Sequence, residues 1–235
     1  MASIQIAPPR RTGLLGLWGS TIGKKAIVAV SGLIMVAFLL LHMLGNLKIF
    51  FGPTDFDDYA HFLRRIGEPV LHGAWYLWIQ RAVLVVALVL HVVGSAQLSL
   101  RDLRARPVKY SGGQAFRATV TTRYMRTGGI VLGLFIIWHL LNLSAGADIK
   151  GWDEAHPYAN IVQDFSVWYE NVIYIAAMVF LGLHIHHGFE SSTRSLGFHR
   201  PKRAKTIRAT GDVLAVAISV GFIAVPVAVM TGLVS

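Results

Sequence analysis

The stretch "SGLIMVAFLLLHMLGNL", Ser31 to Leu47, contains one ionisable side chain, His42, in an otherwise apolar run. Widened to Ala26–Phe50 it exceeds the roughly 20 apolar residues a helix needs to cross a bilayer. A second stretch, "GGIVLGLFIIWHLLNLS" (Gly128–Ser144), aligns with it without a gap, matching at Gly, Phe and His. A polar ring is costly inside a membrane and points to function. These segments therefore predict spanning helices, each carrying a histidine.

Three more segments have the length and apolarity to span: Leu77–Leu100, Val167–Gly188 and Val213–Val234. The composition agrees. Charged residues make up 14% of the 235-residue chain and the mean hydropathy is +0.54, against about 25% charged in a soluble domain. The expected fold is an all-α integral membrane bundle of five helices. Residues 1–24 read as a short cytoplasmic arm and 25–235 as the bundle. "PPRRTGLL" in the arm loosely resembles a twin-arginine signal. The apolar run after it, Leu14–Ile22, is short and Gly-rich and meets Lys24 and Lys25, which favours the arm.

There is no cysteine. That excludes disulfides, Cys-ligated iron–sulfur clusters, Cys-ligated zinc and thioether-linked haem, and leaves histidine as the obvious metal ligand.

A net charge of +10 suggests nucleic acid until its distribution is considered. Four basic residues lie in the arm. Seven lie in the loop after the second span (Arg101 to Arg126), and six in the loop after the fourth (Arg194 to Arg208). These are seventeen of the 22 Lys and Arg. The alternate loops hold Asp55, Asp57, Asp58, Glu68, Asp148, Asp153, Glu154, Asp164 and Glu170. The positive-inside rule then predicts a cytoplasmic N-terminus and an outer C-terminus. It also leaves one cationic face, suited to anionic lipid or an acidic protein, and gives no reason to invoke nucleic acid. In the first outer loop, "PTDFDDYAHFLRRIGEP" predicts a short interfacial helix. Thr54 would cap it, Phe56, Tyr59, Leu63 and Ile66 would share a face, and Gly67 and Pro69 would end it.

Each of the first four spans has one histidine deep in its apolar stretch: His42, His91, His139 and His184. A single intramembrane histidine is as readily a packed, hydrogen-bonded side chain as a ligand. Depth sorts these four. His42 and His139 lie toward the outer ends of outward-running helices, and His91 and His184 toward the inner ends of inward-running ones. The expected pairs are His42 with His139 and His91 with His184. Two neutral imidazoles from facing helices suit a six-coordinate haem iron built for electron transfer.

Ten residues from each histidine toward the opposite surface, about 15 Å along the axis, stand Gly32, Arg81, Gly129 and Tyr174. Gly32 and Gly129 would let a ring lie against the backbone at the inner level. Arg81 would meet an anionic or carbonyl oxygen at the outer level. Glycines also simply pack membrane helices together.

In "FLGLHIHHGFESSTRSLG" (Phe180–Gly197), helical geometry turns His186 about 160° from His184 and His187 about 60°. His184 is the expected ligand, with His187 the second candidate. His186 and His187 fall at the membrane edge. Quinone contacts are expected among Glu68, His72, Trp75 and His187, with His61, Arg64, His186, Glu190, Arg126 and Tyr124 as further candidates. The sequence does not choose between an inner and an outer site. Trp18, Lys24, Arg123 and Arg194 are chemically suited to inner carboxylates of a porphyrin.

The strings around His42 and the His184-x3-Gly188…Gly197 pattern, with histidine spacings of 49, 48 and 45, resemble the di-haem cytochrome b membrane anchor of succinate dehydrogenases and fumarate reductases. The likeness is to the single-chain, five-helix type and covers about Lys24 to Leu233. It implies two haem b groups, the outer held by His42 and His139 and the inner by His91 and His184. It also implies menaquinone as substrate and a cytoplasmic flavoprotein with FAD as partner. An iron–sulfur subunit and a bacterial cytoplasmic membrane complete the expectation, with room for a further small membrane subunit. Succinate or fumarate chemistry would belong to the flavoprotein. The sequence departs from some members at Gly182, where they carry a glutamate linked to proton transfer, so that path is not expected here. Competing readings are the anchor of another quinone-linked dehydrogenase and a haem-free transporter.

Overall fold

The computed structural model describes residues 13–105, 113–147, 149 and 151–235, with residues 14–15 and 113–123 as backbone only. Arg10, Arg11, Arg106, Lys109 and Asp148, and the side chains of Arg117 and Arg123, lie outside the described residues. Those described form helices and no strands. The eight α-helices are α1 (Leu14–Gly19), α2 (Thr21–Asn46), α3 (Pro53–Arg65), α4 (Trp75–Arg104), α5 (Gly113–His139), α6 (Pro157–Phe165), α7 (Trp168–Ser195) and α8 (Ala204–Met230). Helices α2, α4, α5, α7 and α8 each reach the length and apolarity needed to cross a membrane. In lipid the backbone must satisfy its own hydrogen bonds, which a continuous helix does.

The helices overrun the predicted spans. α8 starts at Ala204 rather than Val213 and continues through Pro226. α7 runs to Ser195, so His186, His187 and Glu190 are helical. α2 begins at Thr21, capped by Ser20 Oγ accepting from the Gly23 N–H at 2.9 Å. A short helix, α3, forms in the predicted loop but starts at Pro53 and ends at Arg65, leaving Ile66 just beyond it. Gly52, at φ 96°, precedes Pro53 at the first turn, so Thr54 is inside the helix and is not its cap. Asp57 is turned to a tertiary role, accepting the Tyr158 backbone N–H at 2.9 Å.

Helix α7 is the hub. It packs along α8, α2 and α5, while α4 leans on α2. Without water to drive helices together, close approach of small residues has to hold them. A Cβ on Gly94 of α4 would lie 2.6 Å from the Val28 side chain of α2. A Cβ on Gly182 of α7 would lie 2.6 Å from Ser219 Oγ of α8. Gly182 is therefore a packing position against α8, with no room for a glutamate. Among the described residues α4 and α5 meet where Arg126 of α5 donates to the Ser99 carbonyl of α4 at 3.4 Å. The candidate site lies on α4, α2, α7 and α5.

Candidate functional site

The four histidines come together in the predicted pairs. His42 of α2 meets His139 of α5 with ring centres 6.0 Å apart and planes at 76°. His91 of α4 meets His184 of α7 at 6.2 Å and 60°. A transition metal sits about 2 Å from an imidazole nitrogen, itself about 1 Å from the ring centre, so imidazoles on opposite sides of one ion have centres about 6 Å apart. Both pairs have that separation.

The levels also follow the ten-residue rule. Gly32 of α2 faces His91, where an added Cβ would lie 3.1 Å from His91 Cε1. Gly129 of α5 faces His184, at 3.8 Å from its Cε1. Tyr174 of α7 meets His139, with its hydroxyl 3.1 Å from Nδ1. On α2, α5 and α7, then, each helix has one contact at each level, ten residues or about 15 Å apart. Arg81 breaks the pattern. It is exposed on α4 with its guanidinium 4.9 Å from the Trp78 ring centre.

The two pairs have different surroundings. His42 stacks on Phe38 at 5.2 Å and meets Phe222 at 5.5 Å, and His139 stacks on Phe135 at 5.8 Å. Just after His139, α5 widens into a π-helical turn, Leu140–Ser144. Such turns often mark functional positions. Here Asn142, 2% exposed, donates to Asp164 Oδ1 at 2.6 Å. On the other side of His139, Trp138 Nε1 donates to Glu170 Oε2 at 3.1 Å. Both carboxylates are buried.

The second pair is simpler. His91 Nδ1 lies 3.0 Å from the Val28 carbonyl oxygen. A carbonyl only accepts, so Nδ1 carries the proton and the lone pair is on Nε2, the arrangement usual for a metal-binding imidazole. His184 Nδ1 is buried with no hydrogen-bond partner. Beside it a cavity of about 320 Å3 opens between α5 and α7, lined by Tyr124, Met125, Gly128, Phe180, Leu183, His184 and His187.

Among the described residues no group of three or more His, Asp or Glu is placed to hold a metal ion. Two imidazoles alone do not fill a four- or six-coordinate shell, so a metal here would need its remaining ligands from elsewhere. A planar macrocycle, with four in-plane donors and two open axial positions, fits that requirement. The glycines facing His91 and His184 and the orphaned His184 Nδ1 fit it too.

Other candidates separate. His186 is drawn to Asp212 of α8, Nδ1 to Oδ1 at 2.5 Å, and its ring meets His187 edge-on at 4.6 Å. His187 lines the cavity beside His184. Glu68 pairs with Arg65 at 3.2 Å. Glu68, His72 and Trp75 are exposed at the turn into α4, and His61 is exposed on α3. Arg64 pairs with Glu154 at 3.2 Å, and Glu190 with Arg194 at 2.6 Å and Arg208 at 3.4 Å. Arg126 donates to the Ser99 carbonyl at 3.4 Å. Lys24 is buried with its ammonium 5.5 Å from the Trp18 ring centre.

Sequence reasoning missed Val28, Asn142 and Asp164. A backbone carbonyl leaves no mark in sequence. A polar Asn three residues beyond His139 was a signal that could have been read. Comparison with family models, with curated proteins and with solved structures finds no match for this chain.

Proposed function

We propose that the chain is the membrane anchor and electron-carrying subunit of a succinate:quinone oxidoreductase, with two b haems on bis-histidine ligands. The observation that carries this reading is the pair of cross-helix histidine couples at 6.0 and 6.2 Å, set about 15 Å apart along the helices. His42 and His139 would hold the outer group, His91 and His184 the inner. Bound haem supplies reversible one-electron chemistry, and two imidazoles per iron leave no position open for oxygen. The chain's own part is orientation and exclusion of water. Val28 and Tyr174 fix the rings of His91 and His139 through Nδ1, and Phe38, Phe135 and Phe222 pack against the outer pair.

In this reading the N-terminus is cytoplasmic, the membrane is that of a bacterium, and α3 lies along the outer surface. The cationic face receives an iron–sulfur subunit paired with a flavoprotein carrying FAD. Menaquinone exchanges electrons with the anchor. His187 and the cavity beside His184 are the inner quinone candidates, and Glu68, His72 and Trp75, exposed at the turn into α4, the outer ones. Lys24 with Trp18 remains suited to an inner porphyrin carboxylate.

The test is a reduced-minus-oxidised optical spectrum of the assembled complex. Two bis-imidazole b-type signals per chain are expected. Their absence would sink the redox reading and favour a haem-free transporter. A covalently flavinylated subunit that co-purifies separates this anchor from that of another quinone-linked dehydrogenase.

A further inference from the structure

The geometry points to Tyr174 as the positioning residue of His139, orienting its ring by a hydrogen bond at Nδ1 so that Nε2 is left for the ion shared with His42, and so tuning the outer centre alone. This rests on the two-haem reading.

An imidazole that gives Nε2 to a metal carries its proton on Nδ1, and a buried N–H needs an acceptor. For His91 that acceptor is the Val28 carbonyl. For His139 the group at that place is the Tyr174 hydroxyl, 3.1 Å from Nδ1, whose oxygen accepts once Nε2 is given to the ion and Nδ1 carries the proton. Tyr174 is 7% exposed. Its ring is wedged edge-on between Phe135, 5.0 Å away, and Phe165, 4.8 Å away. The phenol has no space to swing aside. The His139 ring is confined as well, stacked on Phe135 at 26°. The surrounding turn is pinned by Trp138 to Glu170 and by Asn142 to Asp164.

A hydrogen bond accepted from Nδ1–H makes the imidazole a stronger donor to its ion, which favours the oxidised state. Removing the acceptor should raise the reduction potential of the outer centre and leave the inner one where it was. This is a tuning role carried by one hydroxyl, whereas His91 is served by main chain that no substitution removes.

The experiment is a redox titration of the assembled complex carrying Tyr174→Phe, which keeps the ring between Phe135 and Phe165. Both haems should be retained. The haem that His42→Ala removes should titrate at a higher potential, and the other should be unmoved. Trp138→Phe is the control. It disturbs the same turn without touching His139 Nδ1 and should shift neither potential. Unmoved potentials in Tyr174→Phe, a shift in the inner haem, loss of the outer haem, or an equal shift in Trp138→Phe would each overturn the inference. A wild-type complex with no b-type signal would instead overturn the two-haem reading itself, so the two failures are distinguishable.

Discussion

The His42–His139 and His91–His184 pairs are nearly alike in separation and unlike in everything around them. The first sits in a shell of aromatic rings and buried polar side chains: Phe38, Phe135, Phe222, Tyr174, Trp138 and Asn142. The second is held by a main-chain carbonyl and faced by two glycines, with an open cavity at its side. The lesson is that the spacing within a pair is set by helix geometry, which both pairs share. The environment of each pair is set by which elements close over it. α6 and the start of α7 bring side chains to the first pair. At the second, the α2 main chain supplies the one hydrogen bond.

The largest test of the comparison, on the two-haem proposal, replaces the paired histidines. His42→Ala and His91→Ala should each delete one of two b-type signals, and a different one each time, as read by optical or paramagnetic resonance spectra. Loss of the same signal from both, or of none, would break the pairing.

Next is the glycine cradle, which belongs to the second pair only. Gly32→Val places a branched side chain where even a Cβ lies 3.1 Å from His91. Haem content should fall toward one per chain with the His42–His139 signal retained. Gly129→Ala meets His184 at an ordinary 3.8 Å and should cost much less. A larger effect from Gly129→Ala would reverse the assignment of the tighter wall.

The polar shell belongs to the first pair only. Asn142→Leu takes from Asp164 Oδ1 a buried donor at 2.6 Å. Lost buried hydrogen bonds of this kind cost about 1–3 kcal/mol. A lower Tm is expected, with broadening confined to the outer signal. An unchanged Tm would show that the π-helical turn does not depend on this bond.

The smallest effect is at the exposed rim of the acidic end. His156 Nδ1 lies 2.6 Å from Asp153 Oδ2. That bond raises His156 above its usual 6.5. The Ala155 N–H, and then His156, lower Asp153 below its usual 3.8. A raised histidine contributes fully below about 6.5 and loses its contribution as pH rises through its folded value. A lowered aspartate contributes above about 3.8 and loses its contribution as pH falls through its folded value. The pair is therefore strongest between roughly pH 4 and 6.5. Asp153→Asn should lower thermal stability slightly within that window and remove the pair's share of the fall at its two edges, by an amount near the limit of detection for an exposed pair. Edges that fell as steeply as before would remove the pair from the account.

The sequence alone was enough for the five spans, because a bilayer demands long apolar helices and little else satisfies it. It was enough for the levels too. Alternating helix direction turns residue number into depth, and rigid rise per residue put Gly32, Gly129 and Tyr174 within reach of the right histidines. Rotation about each helix axis and the packing of neighbours are not written in depth. That is why Arg81 is exposed over Trp78, why Thr54 yields its cap to Gly52, and why His186 turns to Asp212. Tertiary structure alone decided that Val28 offers a carbonyl to His91 and that Asn142 swings inward on a π-helical turn. Each depends on contacts between elements distant in sequence, whereas the spans and levels follow from local periodicity and the thickness of a membrane.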